Sequence, residues 1–242
     1  MNDKTRGIVI DQIDYKDADA IITVVGQDFK KVSLYVKGYK KITSKNVYAT
    51  QLFDESEFLF DYQQDKVNIL KSASLIDEYA GIKADYEKMC IGSVILEAVK
   101  NGVDSEENLY SLLHSALSTL NDTDQPYLVL NLFLARMLDI LGNGPFVDGC
   151  VVCASGKNIE TVSVEEGGFI CHDCNNELHH RIKTNEFLKK FRYINKASFE
   201  VYDKLLDLQL NDTDLTSMLL QFLMEQSGIV LKSVKSLTNI NF

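Results

Sequence analysis

The chain has 242 residues, 45% of them hydrophobic, and a formal net charge of −10. This length holds one large or two ordinary domains around a sizeable core, and no apolar run approaches the ~18 residues of a membrane span. On its face the charge argues against a nucleic-acid binder, because polyanions demand neutralisation of phosphates, but net charge is a weak guide where charges are segregated. What matters is therefore how the charges are distributed along the chain.

Residues 1–80 read as β structure. Gly7-Ile-Val-Ile10 is a short apolar strand, Asp11–Asp19 an acidic turn region, and Ala20-Ile-Ile-Thr-Val-Val25 a β-branched strand closed by Gly26. Val32, Leu34 and Val36 alternate on one face of the next strand, and Phe58-Leu-Phe60 and Val67–Leu70 complete a set of five. Five short strands in this span predict a small barrel of OB-fold type, the five-stranded design that binds oligonucleotides. Within it, Lys37-Gly-Tyr-Lys-Lys-Ile-Thr-Ser-Lys45 carries four lysines and no acid, although residues 1–80 hold eleven basic and thirteen acidic side chains. The loop is a cationic island. Lys37, Lys40, Lys41 and Lys45 suit a phosphate backbone, with Tyr35 or Tyr39 stacking on bases, and Gly38 permits a sharp turn. An ordinary solvated loop is the alternative.

Near residue 80 the apolar period becomes helical. Tyr79 to Ala98 predicts one helix with Ile82, Tyr86, Met89, Val94 and Ala98 near one face, ending at Asn101-Gly102. Asp104 or Ser105 is expected to cap the next, which carries Leu109, Leu112, Leu113, Ala116 and Leu120. With Pro126 in its first turn, a helix through Leu128–Leu141 is apolar on most sides, which marks the central helix of an α-helical domain. Phe187, Leu188, Phe191 and Ile194 form a later stripe and Phe199–Leu208 another. Asp214 is expected to cap a helix over Leu215–Gln226, and Ile229–Leu237 reads as a short helix or a strand.

Interrupting this domain at about 145–180 is Cys150-Val-Val-Cys153, then seventeen residues, then Cys171-His-Asp-Cys174. Two Cys-x-x-Cys knuckles at this separation are a structural-zinc signature: each tight turn aims two sulfurs at one tetrahedral Zn²⁺. Thr161–Val164 and Phe169-Ile170 suit a hairpin whose Gly167-Gly168 turn supplies positive φ. Two disulfides and a redox pair are the competing readings. Met1-Asn-Asp-Lys4 has no apolar secretory segment behind it, so a reducing cytoplasm and one structural Zn²⁺ held by Cys150, Cys153, Cys171 and Cys174 are expected. Four ligands leave no open position for chemistry.

Arg181–Lys204 holds seven basic side chains, among them Arg181, Lys189, Lys190 and Arg192, against three acidic ones. It is a second surface for DNA or a partner, or ordinary solvated helix. Phosphate-binding glycine loops and nucleophile elbows are missing. His114 reads as a core or boundary residue, Cys90 as buried packing, and His179 and His180 as surface groups flanking the ribbon. His172, inside the second knuckle, could stand in for a sulfur, but Cys174 has the better spacing, and no enzyme is expected.

The order of parts then carries a resemblance. A small barrel with Ile8-Val-Ile10, Asp19-Ala-Ile-Ile22 and the Lys37-Gly38 to Ser44-Lys45 loop precedes a helical domain. That domain is interrupted by Gly144-Pro145, the first knuckle, and Gly167-Gly168-Phe-Ile-Cys171-His-Asp-Cys174. This resembles the bacterial RecO family of DNA repair and recombination mediators across essentially the whole chain. Ala154 stands where members often have glycine, and the acidic total is also a departure. The resemblance implies an α+β multidomain protein: a five-stranded OB-fold barrel at 1–80 and an α-helical domain at 81–242 interrupted by a four-cysteine zinc ribbon. It implies binding to single- and double-stranded DNA, annealing of complementary strands and, with RecR, loading of RecA onto DNA coated by single-strand-binding protein. The helical domain would meet that protein's acidic tail, for which the Arg181–Lys204 surface is suited. A cytoplasmic monomer is expected. The alternatives are a protein-interaction adaptor whose DNA contact is incidental and, more weakly, a zinc hydrolase with an incomplete ligand set.

Overall fold

The computed structural model describes residues 3–41, 44–64, 66–102 and 108–237. Two compact units divide it, Met1–Asp122 and Thr123–Phe242.

The first unit begins with a closed five-stranded barrel. Its strands are β1 (Asp3–Tyr15), β2 (Asp19–Gly26), β3 (Lys31–Val36), β4 (Glu55–Phe60) and β5 (Asn68–Asp77). They run in the order β1-β2-β3-β5-β4, with β1 also pairing β4. All pairs are antiparallel except β3 with β5. This is the OB-fold arrangement. Val9, Ile22, Val24, Leu34, Phe58 and Phe60 fill its interior. β1 runs further than expected: residues Asp11 to Tyr15 are strand, not turn, and a register shift between Val9 and Asp11 bends it. The acidic residues conceal a period-two pattern in which Ile13 and Tyr15 share a face.

Three helices complete this unit: α1 (Ala80–Ala84), α2 (Tyr86–Asn101) and α3 (Leu109–Asp122). The single helix expected from Tyr79 is broken, because Asp85 takes an extended conformation and its carboxylate accepts from the Lys88 N–H, starting α2 afresh. Tyr86 and Met89, expected on one face with Ile82, Val94 and Ala98, are exposed while those three are buried. The expected caps Asp104 and Ser105 lie outside the described residues. α2 and α3 pack on β1. The change in periodicity at residue 80 ends the barrel, while the packing boundary falls at Asp122. A buried carboxylate helps explain this. Glu55, at the start of β4, binds Arg6 of β1, the Tyr79 hydroxyl before α1, and Tyr110 and His114 of α3.

The second unit is built around α4 (Pro126–Ile140), whose Leu128, Leu130, Leu132, Phe133, Leu134 and Leu138 are all buried, as its all-round apolar pattern requires. After it come β6 (Ile159–Ser163), β7 (Gly168–Cys171), α5 (His172–Leu178), α6 (Asn185–Lys196), α7 (Tyr202–Leu205) and α8 (Thr213–Ser227). α4 packs on α6 and α8. Thr184 caps α6, and Asp212 rather than Asp214 caps α8, accepting from the Asp214 and Leu215 N–H groups. The Phe199–Leu208 stripe is not one helix but α7 flanked by 3-10 turns, and the tail has only a 3-10 turn at Ser233–Ser236. The β6–β7 hairpin packs on α6 through Phe169 and Phe191, whose ring centroids lie 6.0 Å apart, and Phe191 in turn meets Phe222 of α8 at 5.9 Å. The ribbon is thus seated in the helical core. Of the glycine pair, Gly167 alone has positive φ (84°). At Gly168 a Cβ would lie 2.3 Å from the Phe146 carbonyl oxygen, so its lack of a side chain is what matters.

Candidate functional site

The lysine loop sits at one end of the barrel, against the β1–β2 hairpin. Asp19 fixes it: one carboxylate oxygen accepts from the Gly38 N–H at 2.7 Å, the other from the Tyr35 hydroxyl. The Gly38 N–H first and Tyr35 second hold this carboxyl below its ordinary range. The Lys40 N–H donates to the Ala18 carbonyl and that of Lys41 to Gly38, which has φ 67°. Lys37, Lys40, Lys41 and Lys45 are all exposed. Lys40 pairs with Asp14 at 2.8 Å, both partly exposed, an interaction of the class that contributes ~0–1 kcal/mol and yields readily to a competing anion. Ile42 and Thr43, in the middle of the loop, lie outside the described residues.

The two tyrosines differ. Tyr39 is 8% exposed, packed with the barrel core, and its hydroxyl donates to Gln12. Its ring therefore faces the barrel core, and of the two tyrosines Tyr35 is the one at the surface. Tyr35 is half-buried on the outer surface, edge-on to Tyr15 at 5.8 Å, and the Lys16 ammonium lies 5.2 Å from the Tyr15 ring centre. Strand register carries the surface further. Ile13 pairs with Ile21, Ile21 with Tyr35, and Tyr35 with Ile69, so one apolar row crosses β1, β2, β3 and β5. Ile13 is 57% and Ile69 64% exposed. The row is exposed at its two ends and half-buried at Ile21 and Tyr35, with Lys16 and the lysine loop beside it. Sequence reading missed Ile13, Tyr15, Lys16 and Ile69. The alternation Ile13-Asp-Tyr15 was the available signal.

The four cysteines converge. Their sulfurs all lie within 4.8 Å of one another, and Cys153 and Cys171 are 3.6 Å apart. All four are free thiols, so disulfides are set aside. A tetrahedral Zn²⁺ with arms of about 2.3 Å requires sulfur separations near 3.8 Å, and the donor set fits. Burial pushes the Cys150 thiol up, but the N–H groups of Cys171, Cys153 and Val152 outweigh it and bring it down; burial and then its sulfur neighbours push Cys174 up. Four thiols this close cannot all ionise without a cation among them. His172 is not a fifth candidate: its Nδ1 engages Glu160 at 2.7 Å. Ala154, directly after the first knuckle, has φ 60°, the left-handed conformation that glycine adopts without strain.

The basic stretch after the ribbon is partly consumed within the unit. Lys190 binds Glu186 and Asp212, each at 3.0 Å, and Arg192 donates to the Val147 carbonyl and to Asp148. Arg181 and Lys189 are exposed. Arg181 lines a cavity of about 570 Å³ with Ile182, Lys183, Phe187 and Met218, where the Lys183 ammonium lies 5.0 Å from the Phe187 ring centre.

Family models place these parts together. The model described as Recombination protein O N terminal matches residues 1–79, and that described as Recombination protein O C terminal matches residues 83–233. The chain belongs to the RecO family. It is similar to proteins named DNA repair protein RecO from Listeria welshimeri (25% identity, covering 99% of this chain and 95% of the relative), Listeria monocytogenes (26%; 78% and 74%) and Bacillus cytotoxicus (28%; 78% and 77%). The RecO family models meet near residue 80, where the barrel gives way to helix. Among the described residues, no helix is long and apolar enough to cross a membrane.

Proposed function

We propose that the chain is a DNA-binding recombination mediator that acts by holding strands rather than by turnover. The observation that carries this is the apolar row Ile13–Ile21–Tyr35–Ile69 with Lys16, Lys37 and Lys40 at one end, on a chain of net charge −10. A cationic, base-accommodating face on an otherwise anionic molecule selects the bound surface: the strand is directed to the barrel and repelled elsewhere. A face that holds bases unstacked and phosphates neutralised also favours annealing, because it lowers the repulsion a second strand meets. On this reading RecR, single-strand-binding protein and RecA are the partners, in the cytoplasm. Arg181 and Lys183 beside Phe187 and Met218 suit an acidic peptide with an apolar terminus, the chemistry expected of the single-strand-binding protein's tail. The cysteine cluster takes one Zn²⁺ as a structural strut, with Cys150, Cys153, Cys171 and Cys174 all coordinated and no position left for substrate.

Annealing of complementary oligonucleotides, followed by energy transfer between end labels with and without single-strand-binding protein, tests the reading. Acceleration at micromolar protein is expected. No acceleration together with no gel shift would leave the protein as an adaptor.

A further inference from the structure

Beside the apolar row lies a cavity that the DNA-binding reading does not use. Its volume is about 660 Å³, and Thr23, Ser33, Phe29, Lys30, Tyr62 and Gln64 are among its lining. Thr23 pairs with Ser33 in the β2–β3 register, two residues along from the Ile21–Tyr35 pair. The cavity therefore opens about 7 Å along the strands from the row, on the same outer face. Its far wall is aromatic: Phe29 and Tyr62 have ring centroids 4.9 Å apart, and Phe29 is anchored on buried Phe60 at 5.5 Å. The β4–β5 loop that brings Tyr62 there is braced. The Tyr62 N–H donates to Asp3, and buried Asn68 accepts from the Gln63 N–H and donates to the Lys66 carbonyl. The opposite wall is also fixed, since the Lys31 ammonium binds the carbonyls of Lys100 and Gly102 at 3.1 Å each, at the end of α2.

We propose that this cavity is a nucleobase pocket that takes one unpaired base of the strand crossing the barrel. Tyr62, 44% exposed on a wall backed by Phe29, offers a stacking face. Gln64, Ser33 and Thr23 offer hydrogen-bonding groups of both signs to a base edge, and exposed Lys30 meets the flanking phosphate. A base paired in a duplex cannot enter without leaving its partner, which disfavours the duplex. The pocket therefore makes the barrel prefer single strands. The inference rests on the DNA-binding reading of the barrel and adds a form preference to it.

The chain has no tryptophan, so Tyr62→Trp creates a sole reporter at the pocket wall. Labelled-strand anisotropy reads total DNA binding; tryptophan emission reads base entry. The probes are an oligothymidylate, the matching duplex, a fully abasic strand of equal length, and free thymidine monophosphate. Expected is quenching by the oligothymidylate that follows its anisotropy curve, with little from the duplex or abasic strand and none from the mononucleotide at equal nucleotide concentration. Tyr62→Ala should weaken oligothymidylate binding roughly five-fold or more, with a modest drop in melting temperature from the lost packing on Phe29. Strand binding with unchanged emission and unchanged Tyr62→Ala affinity overturns the pocket and spares the DNA-binding reading. Equal quenching by the mononucleotide overturns it in favour of a free-nucleotide site. No anisotropy change with any strand overturns both.

Discussion

The Tyr110 hydroxyl donates to Oε1 of Glu55 at 2.5 Å, joining α3 to the first residue of β4. Glu55 is 1% exposed and also binds Arg6 at 2.5 Å and the Tyr79 hydroxyl at 2.9 Å. Removing this carboxylate takes the acceptor from the Tyr110 hydroxyl and one partner each from Arg6, Tyr79 and His114, of which Tyr79 keeps His114 and Ser118 within reach. Glu55→Ala should destabilise the chain by about 1–3 kcal/mol, because buried hydroxyls lose their acceptor while the part-exposed Arg6 stays solvated; Glu55→Gln, which keeps an acceptor, should cost less. Urea denaturation measures both. A midpoint unchanged in Glu55→Ala would mean that the network does not hold the helices to the barrel.

The neighbouring carboxylates give opposite pH signatures. Burial pushes Glu55 up, but Arg6, Tyr110 and Tyr79 outweigh it and hold it below the ordinary range. A depressed folded pKa adds stability at neutral pH that is lost as pH falls below about 4.3. Burial pushes Asp54 up despite Lys83 at 2.5 Å. A raised acid pKa contributes stability that is present in acid and lost as pH rises through the raised value. Stability should therefore rise slightly on mild acidification and fall on stronger acidification. Asp54→Asn should reduce the rise, leaving what Asp139, also raised by burial, contributes, and Glu55→Gln should soften the fall; identical pH profiles in both variants would contradict the assignment.

Ala154 holds a left-handed conformation directly after the first cysteine knuckle. A Cβ there costs ~1–2 kcal/mol, offset in part by glycine's larger freedom in the unfolded chain. Ala154→Gly should raise stability by up to about 1 kcal/mol and slow metal loss to a chelator. A lower melting temperature or faster metal loss would show that the turn carries no strain.

Much of this was legible because the signals are local. The Cys-x-x-Cys spacing, the β-branched strands and the all-round apolar α4 each dictate their structure within a few residues. Less was legible where long-range packing decides. Asp11 to Tyr15 looks like a turn by composition but is held as strand by its pairing with β2. Tyr39 sits in a lysine-rich loop yet turns inward to the barrel core. Lys190 and Arg192 look like free cations, but Asp212 and Asp148 reach them from 22 and 44 residues away. The apolar row was hidden for the same reason, since its members are neighbours only through strand register.

The sulfurs' mutual distances make a metal prediction direct. Purified protein should carry one Zn²⁺ per chain by atomic spectroscopy, released on thiol modification. Cys171→Ser should lose the ion and lower the melting temperature together, because Cys171 ends β7 directly before α5, and Ile170 beside it is fully buried. A metal-free variant that melts like the parent would make the ion dispensable to the fold.

For the acidic-peptide surface, Lys183→Glu reverses the charge beside Phe187, and Phe187→Ala removes the ring at 5.0 Å from that ammonium. Each should weaken binding of an acidic peptide with an apolar C-terminus by roughly ten-fold, while Lys189→Glu, outside the cavity lining, should change it less. Calorimetric titration reads this. Equal effects from all three would indicate diffuse charge attraction in place of a seated tail.

The lysine loop should set the salt dependence of strand binding. If Lys37, Lys40, Lys41 and Lys45 each neutralise a phosphate, they contribute about −3 to the slope of log affinity against log salt on a single strand. Replacing all four by alanine should flatten the slope by that amount and weaken binding most at low salt. Because all four are exposed and none lies in the core, the variant should melt like the parent. Lys40 has the nearest competing carboxylate, Asp14, so Lys40→Ala alone should cost less than the other single changes, and Asp14→Asn should tighten binding by freeing that ammonium. An unchanged slope in the quadruple variant would move the phosphate path away from this end of the barrel.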